Sequence, residues 1–159
     1  MAEMKDVVQF GIGGVQYALD INIAREIVEM MPITPVPRAP EHIAGIINLR
    51  GEITNILNLN YLMGLPPGSE VENRKIIVLV PEAANGSNVG LIVDDVQSVL
   101  QVSEEDIDQM DEAMSREAYV KGIIKIGKED SENKNLVIWI DIAKILSDTL
   151  NESEIAVPA

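Results

Sequence analysis

The sequence predicts a mainly β protein built from two small antiparallel barrels of five strands each, followed by a C-terminal helix. One observation is that short segments rich in β-branched residues, separated by Gly, Pro or Asn, recur along the chain at about five per half. A second is that a unit of roughly 70 residues occurs twice, which indicates two similar modules rather than a solenoid. The apolar content of 47% is sufficient for a buried core.

The repeat is clearest where two segments align without a gap. Tyr17–Met30 matches Val89–Val102 at a constant offset of 72 residues, so that Ala24 aligns with Val96 and Ile27 with Val99. Further along, the strand GIINL is followed by a polar step, a second apolar strand and a short helix-like segment, and the same order returns with GIIKI, LVIWI and IDIAKIL. The repeat therefore covers strands and helices in the same order.

The strands are predicted from their β-branched content and their bounding turn residues. They are Val7–Ile12, Val15–Ile21, Ile27–Met31, Ile43–Leu49, Ile53–Leu57, Lys75–Val80, Val89–Val93, Val96–Val102, Val120–Ile126 and Leu136–Ile140. Gly13-Gly14 predicts a tight hairpin between the first two, since Gly tolerates the positive φ of such turns. Four prolines predict an extended crossing segment over Met31–Pro40.

The last element is predicted to be a helix over Asp141–Leu150 that docks on a barrel. Asp141 can cap it, and one face carries Ile142, Ile145, Leu146 and Thr149. A single domain is expected over 6–150, with one subdomain at about 15–72 and another at about 73–150. The strand at 7–12 can be shared between the two. Leu65–Asn73 is predicted as the surface connection, and 151–159 as a flexible tail.

Composition excludes several classes of function. The chain has no cysteine, which rules out thiol catalysis, disulfides and thiolate metal sites. It has 12 basic and 26 acidic residues, a net charge of −14 that disfavours nucleic acid and anionic membrane surfaces. Wholly apolar runs such as Ile76–Val80 are too short for a membrane span, and the N-terminus lacks signal-peptide features. We therefore expect a cytoplasmic location and no direct membrane insertion.

No constellation in the sequence predicts an active site, a metal site or a cofactor. His42 is the only histidine, so a structural or surface role is expected for it. The acidic run Ser103–Glu112 fails the EF-hand template, because Met110 and Asp111 stand where a ligand and a Gly are needed, and it is read as a solvated loop. Asp94-Asp95 is read as a turn. We expect no enzyme.

Arg50 and Glu26 stand out as charged residues in apolar, Gly-punctuated surroundings. Arg50-Gly51 lies at a turn between two predicted strands, which presents Arg50 at a barrel end. Two interpretations remain open from the residues alone. The charges can form an ion pair that only ties the turn, or they can belong to an interaction surface.

The chain resembles the CheW family of chemotaxis coupling proteins from about Asp6 to Leu150. The resemblance rests on several motifs in one register: YALDI with REIV, ITPVPRAPEHIAGIINLRG, VGLIVDDVQSVL, and VKGIIKI with LVIWIDIAKIL. It implies two interleaved SH3-like five-stranded barrels. It also implies a non-enzymatic adaptor that links the cytoplasmic tips of methyl-accepting chemoreceptors, in membrane-associated arrays, to the regulatory domain of a CheA-type histidine kinase.

The resemblance further implies a receptor contact in the groove between the barrels. Carried over by motif, the receptor-binding residues are Ala24, Glu26, Ile27, Gly45, Asn48, Arg50, Val96 and Val99. The kinase contact is expected at hydrophobic barrel ends and is not assigned to residues. Two departures from the family pattern are Ala24, where a larger aliphatic residue is usual, and Asn58, where an aspartate is usual.

An alternative reading is a stand-alone SH3-like barrel module that binds another ligand or serves a receptor-like signalling system. Binding of oligonucleotides or sugars is disfavoured by the net charge and by an aromatic content of only 3%.

Overall fold

The computed structural model describes residues 4–65, 74–84, 86–109, 113, 119–126 and 135–152. Residues 66–73 of the predicted connection, 127–134 of a polar loop, and 153–159 of the predicted tail lie outside the described residues. Met110, Asp111 and Glu112 of the acidic run lie outside them too.

Eleven strands and two α-helices have both of their ends within the described residues. They are β1 (Met4–Ile12), β2 (Val15–Asp20), β3 (Ala24–Glu29), β4 (Ile43–Leu49), β5 (Glu52–Asn58), α1 (Leu59–Leu62), β6 (Lys75–Leu79), β7 (Val89–Val93), β8 (Asp95–Ser103), β9 (Ile107–Asp108), β10 (Val120–Ile126), β11 (Asn135–Ile140) and α2 (Ile142–Glu152). Short 3₁₀ turns cover Ile21–Ile23, Pro81–Ala84 and Glu104–Asp106. No helix in the described part of the chain has the length and apolar character that a membrane span requires.

The strands form two sheets, which confirms the predicted mainly β fold class. One sheet has six strands in the order β8-β1-β2-β11-β10-β9, and the other has five in the order β3-β6-β7-β5-β4. Each sheet contains one parallel pair, β11 with β2 and β5 with β7, and the remaining pairs are antiparallel.

The two repeats exchange strands between the sheets. β6 and β7 lie in the sheet that contains β3, β4 and β5, whereas β1 and β2 lie in the sheet that contains β8 to β11. Each sheet therefore takes two strands from one repeat and the others from the second repeat. A boundary at about residue 72 divides the repeats in sequence, but the sheets do not divide there. The interleaving that the family resemblance implied is the arrangement observed.

The repeats match residue by residue in strand pairing, including their irregularities. In the β3–β6 pair, the register shifts between Ala24 and Glu26 of β3. In the β1–β8 pair, it shifts between Val96 and Ser98 of β8, which are the residues 72 positions further along the chain. The β4–β5 pair shifts between Ile43 and Gly45, and the β10–β11 pair between Val120 and Gly122. Bulges that recur at equivalent positions are features of the fold rather than local defects.

Each sheet curls so that its two edges meet. In the five-stranded sheet, Thr34 in the proline-rich segment after β3 exchanges two backbone hydrogen bonds of 2.9 Å with Ile46 of β4, the opposite edge. In the six-stranded sheet, β9 follows the edge strand β8 after one 3₁₀ turn and pairs with the other edge, β10. The extra strand is therefore the counterpart of the Thr34 bridge, and both sheets close in the same way.

Alternation along the strands divides the apolar residues between three cores. Val7 and Ile76 face the small core within their own sheet, while their neighbours Val8 and Ile77 face a large core between the sheets. The shared core contains residues of both sheets together with Ile142, Ile145 and Leu146 of α2. The predicted docking of the C-terminal helix is confirmed, and Asp141 Oδ1 caps that helix by accepting a hydrogen bond from Lys144 N at 3.1 Å.

Candidate interaction site

The β4–β5 turn presents Arg50 at one end of the five-stranded sheet. Leu49 pairs with Glu52, so Arg50 and Gly51 form a two-residue hairpin loop with φ of 51° and 90°. Positive φ at both central residues is typical of the tight turns whose twist matches that of the strands. Asn48 Oδ1 accepts a hydrogen bond of 2.8 Å from Gly51 N and so fixes the turn.

An ion pair joins this turn to the opposite edge of the same sheet. Arg50 Nη2 contacts Glu26 Oε1 of β3, while β3 and β4 are the two edge strands. The Arg50 side chain remains 62% exposed and the Glu26 side chain is 26% exposed. A guanidinium carries five N–H donors, so most of the donors of Arg50 remain available to a partner.

Gly45 takes part through its backbone, because it is buried and has a φ of 149°. A Cβ at this position would collide with the carbonyl oxygen of Thr34 and would lie 2.6 Å from Ile33 Cγ2. Gly45 therefore allows the Thr34 segment to approach β4, which closes the sheet.

The four aliphatic residues of the predicted site lie on the sides of their strands that face the shared core. Residues directly opposite each other in an antiparallel pair share a sheet face. The pairs are Ala24 with Leu79, Ile27 with Ile77, Val96 with Phe10 and Val99 with Val8, and each partner belongs to the shared core. Ala24 and Val96 pack against that core, whereas Ile27 and Val99 are 43% and 54% exposed. Ile27 and Val99 are therefore exposed on edge strands of different sheets, each on the strand face that is directed towards the shared core.

The structure divides the predicted residues into two groups. Glu26 pairs with Val78, which belongs to the inner core of the five-stranded sheet, so Glu26 points to the other face of β3 from Ile27. One group lies where the five-stranded sheet closes, and it consists of Glu26, Gly45, Asn48 and Arg50. The other group is the four aliphatic residues, which lie beside the shared core. β3 and β8, which carry the aliphatic group, lie in different sheets and do not pair with each other.

Sequence reasoning missed a second ion pair at the same turn. Arg25 Nη1 of β3 lies 3.5 Å from Glu52 Oε2, directly after the turn. The charges are visible in the sequence, but their proximity depends on the bulge in β3 and on the closure of the sheet. Neither could be read from a local pattern.

Other conspicuous residues have structural roles. Asp94 Oδ2 accepts a hydrogen bond of 2.7 Å from Gly13 N and ties the β7–β8 turn to the β1–β2 hairpin. In the acidic run, Glu104–Asp106 forms a 3₁₀ turn, and the Ser103 hydroxyl before it donates to Asp106 at 3.1 Å. The solvated-loop reading is wrong for Ile107–Asp108, which forms β9 because it pairs with β10. Within the described ranges, no group of three or more His, Asp or Glu residues is placed to hold a metal ion. Partial burial lowers the pKa of His42, which disfavours its charged form.

Comparison with known proteins identifies the family to which this fold belongs. The family model of the CheW-like domain matches residues 6–150. The chain belongs to the CheW-like domain family. A solved structure titled scaffolding protein TtCheW, from Thermoanaerobacter tengcongensis, is similar with a TM-score of 0.74 and 30% identity, covering 90% of this chain and 88% of that chain.

Curated CheW relatives match over most of their length. A probable chemotaxis protein CheW of Rhizobium etli is 29% identical over 94% of this chain and 92% of its own. The chemotaxis protein CheW of Thermotoga maritima is 28% identical over 90% of this chain and 88% of its own, and that of Treponema pallidum is 30% identical over 91% and 84%.

Proposed function

We propose that this protein is a non-enzymatic coupling scaffold of chemotaxis signalling, which links chemoreceptors to a CheA-type histidine kinase. The family match over 6–150 and CheW relatives of nearly the same extent carry this conclusion. A scaffold acts through surfaces, and the similar solved structure is itself titled a scaffolding protein. The protein would act in the cytoplasm at membrane-associated receptor arrays.

The proposed receptor contact comprises Ala24, Glu26, Ile27, Asn48, Arg50, Val96 and Val99, and the buried Gly45 contributes to it by closing the sheet. Its apolar part, Ile27 and Val99, is exposed beside the shared core, where the apolar stripe of a receptor helix could lie between the sheets. Its polar part is the turn, where Arg50 is held by Glu26 yet largely exposed. Hydrophobic burial would supply affinity, and Arg50 would supply orientation.

The kinase partner is proposed to be the regulatory domain of a CheA-type kinase, which would bind elsewhere on the surface. Separate surfaces are required because a coupling protein must hold both partners together. The two halves of the molecule offer distinct exposed apolar residues for this purpose.

Charge reversal at Arg50 tests the assignment of the receptor surface. Arg50→Glu places a second carboxylate next to Glu26, so we expect receptor binding to fall at least tenfold, equivalent to about 1.4 kcal/mol or more. Binding of the purified protein to a receptor-tip fragment and to the kinase regulatory domain, both from the same organism, should be measured by titration calorimetry.

Kinase binding should remain near that of the unchanged protein, and circular dichroism should show an intact fold. Ser87→Glu, an exposed change outside the proposed contact, serves as a control for added negative charge. Equal loss of both partners in folded Arg50→Glu protein would refute separate surfaces. Absence of receptor and kinase binding by the unchanged protein would favour another signalling partner.

A further inference from the structure

The Arg50 turn is held at both of its ends by adjacent residues of β3. Glu26 contacts Arg50, the first turn residue, and Arg25 contacts Glu52, the residue that follows the turn. We propose that Arg25 and Glu52 are positioning residues, which fix the orientation of the Arg50 side chain for receptor binding. This inference rests on the proposed function and adds a second ion pair to its surface.

The bulge in β3 makes this arrangement possible. Ala24 pairs with Leu79 and Glu26 with Val78, so Arg25 is the extra residue without a partner on β6. In a regular strand, adjacent side chains point to opposite faces. A bulge bends the strand and re-aims the inserted residue, so that Arg25 and Glu26 both reach the β4–β5 turn.

The charge pattern also selects one pairing. β3 carries Arg25 then Glu26, and the turn carries Arg50 and then, after Gly51, Glu52. The observed contacts join opposite charges in both pairs. Exchanged partners would place Arg25 against Arg50 and Glu26 against Glu52, and opposed like charges are destabilising. The hairpin therefore has one favoured position along β3.

The equivalent bulge in the six-stranded sheet lacks these charges. At the offset of the repeat, Gln97 and Ser98 stand in the places of Arg25 and Glu26. The bulge by itself is therefore sufficient for the fold without an ion pair. The paired charges are an addition to the five-stranded sheet, which is the sheet that presents Arg50.

The pair is suited to positioning rather than to stabilising the fold. The side chains of Arg25 and Glu52 are 42% and 56% exposed, and pairs this exposed contribute little to folding. A modest restriction of Arg50 before binding still lowers the entropic cost of the complex. We expect neutralising either residue to weaken receptor binding by roughly two- to fivefold.

A charge-swap cycle tests the proposal. Receptor-tip binding is measured for Arg25→Glu, for Glu52→Arg and for the double variant, with Ser87→Glu, an exposed position outside the proposed contact, as the control for a changed charge. Each single reversal should weaken binding about fivefold or more, and the double variant should return to within about twofold of the unchanged protein. The temperature of unfolding should change little in all four variants.

A second readout follows Arg50 directly. Side-chain ¹⁵N–¹H resonances of Arg50 should shift in each single variant and return towards their original positions in the double variant, which a purely structural defect would not produce. Unaffected binding in the single variants, or no recovery in the double variant, contradicts the positioning role while leaving the proposed function intact. Failure of the unchanged protein to bind the receptor tip contradicts the proposed function and this inference with it.

Discussion

The five-stranded and six-stranded sheets share their strand pairing, bulges and mode of closure, yet they differ in the side chains at equivalent positions. Glu26 and Arg25 in β3 correspond to Ser98 and Gln97 in β8. Conversely, the six-stranded sheet has Trp139 and Asp20 where the five-stranded sheet has Ile56 and Ile92. The pairing scheme is therefore a property of the repeated fold, whereas the charged residues at the bulge are a property of one copy.

This comparison teaches how to separate structural from functional residues in a repeat. A feature present in both copies, such as Gly45 and Gly122 at the closing bridges, is explained by folding. A feature present in one copy, such as the Glu26–Arg50 pair, is not required by the repeated fold, so its presence needs an explanation specific to that copy. Four comparisons of equivalent or neighbouring positions sharpen this distinction.

The largest effect is expected for Gly45→Ala, compared with Gly122→Ala. A Cβ at Gly45 meets the Thr34 backbone on a positive-φ residue, whereas a Cβ at Gly122 meets the Ile107 side chain at 2.6 Å and the Asp108 oxygen only at 3.4 Å. We expect a loss of about 3 kcal/mol in the free energy of unfolding at Gly45 and roughly 1 kcal/mol at Gly122. Urea unfolding of both variants measures the difference, and equal losses would show that closure is equally strained in both sheets.

Val99→Asp and Ile27→Asp test whether both copies contribute to the proposed groove. Both residues are exposed at equivalent positions, so the folded protein should tolerate either change. In a complex, an unpaired carboxylate would be desolvated, and receptor binding should fall by about 2 to 3 kcal/mol. Titration with the receptor-tip fragment measures this loss. Normal binding by folded Val99→Asp protein would place the receptor contact on the five-stranded sheet alone.

Asp20→Ala tests the polar cluster that is confined to the six-stranded sheet. Asp20 accepts hydrogen bonds from Trp139 Nε1 at 2.7 Å and Lys121 Nζ at 2.8 Å. Trp139 is only 5% exposed, so its unpaired N–H should cost about 1 to 2 kcal/mol of unfolding free energy. Chemical denaturation should show this loss and little change for Asp6→Ala, a control on the neighbouring strand. Unchanged receptor binding in Asp20→Ala is expected as well.

The smallest effect concerns the caps of the equivalent helices. Asp141 accepts a hydrogen bond from Lys144 N at the start of α2, whereas Asn58 makes no side-chain cap to α1 and instead donates to Glu41 O at 3.3 Å. We expect Asp141→Ala to lower the free energy of unfolding by about 1 kcal/mol and Asn58→Ala by about half as much or less. Thermal unfolding measures the order, and a larger effect at Asn58 would contradict it.

Much of the fold was predictable because its signals are local. Segments rich in β-branched residues predict most of the strand positions. Gly13-Gly14 predicts the hairpin in which Ile12 pairs with Val15, and Asp141 is correctly predicted to cap α2. The two-residue strand β9 was not predicted, and neither was the start of β3 at Ala24 rather than Ile27. Both depend on pairing with a distant strand, which a local window cannot detect.

The motifs also indicated the candidate site, but not its arrangement. Glu26 and Arg50 were singled out as charged residues in apolar surroundings, and they form an ion pair that leaves Arg50 exposed. Glu26 and Ile27 lie on opposite faces of β3, and this could be assigned only from the register in which β3 pairs with β6. The ion pair between Arg25 and Glu52 forms only because β3 has a bulge and the sheet closes, and neither can be read from the sequence alone.

By itself, the sequence determined the strand-rich class, the two-fold repeat and the membership suggested by its motifs, because these depend on residue type and spacing. The resemblance implied interleaved barrels, but only the tertiary structure decided which strands are exchanged and that opposite edges of one sheet meet at Arg50. The physical reason is that strand pairing is non-local. Strands with the same local sequence pattern can form their backbone hydrogen bonds with strands of their own repeat or with strands of the other repeat. Burial of a shared core between the sheets favours the second arrangement.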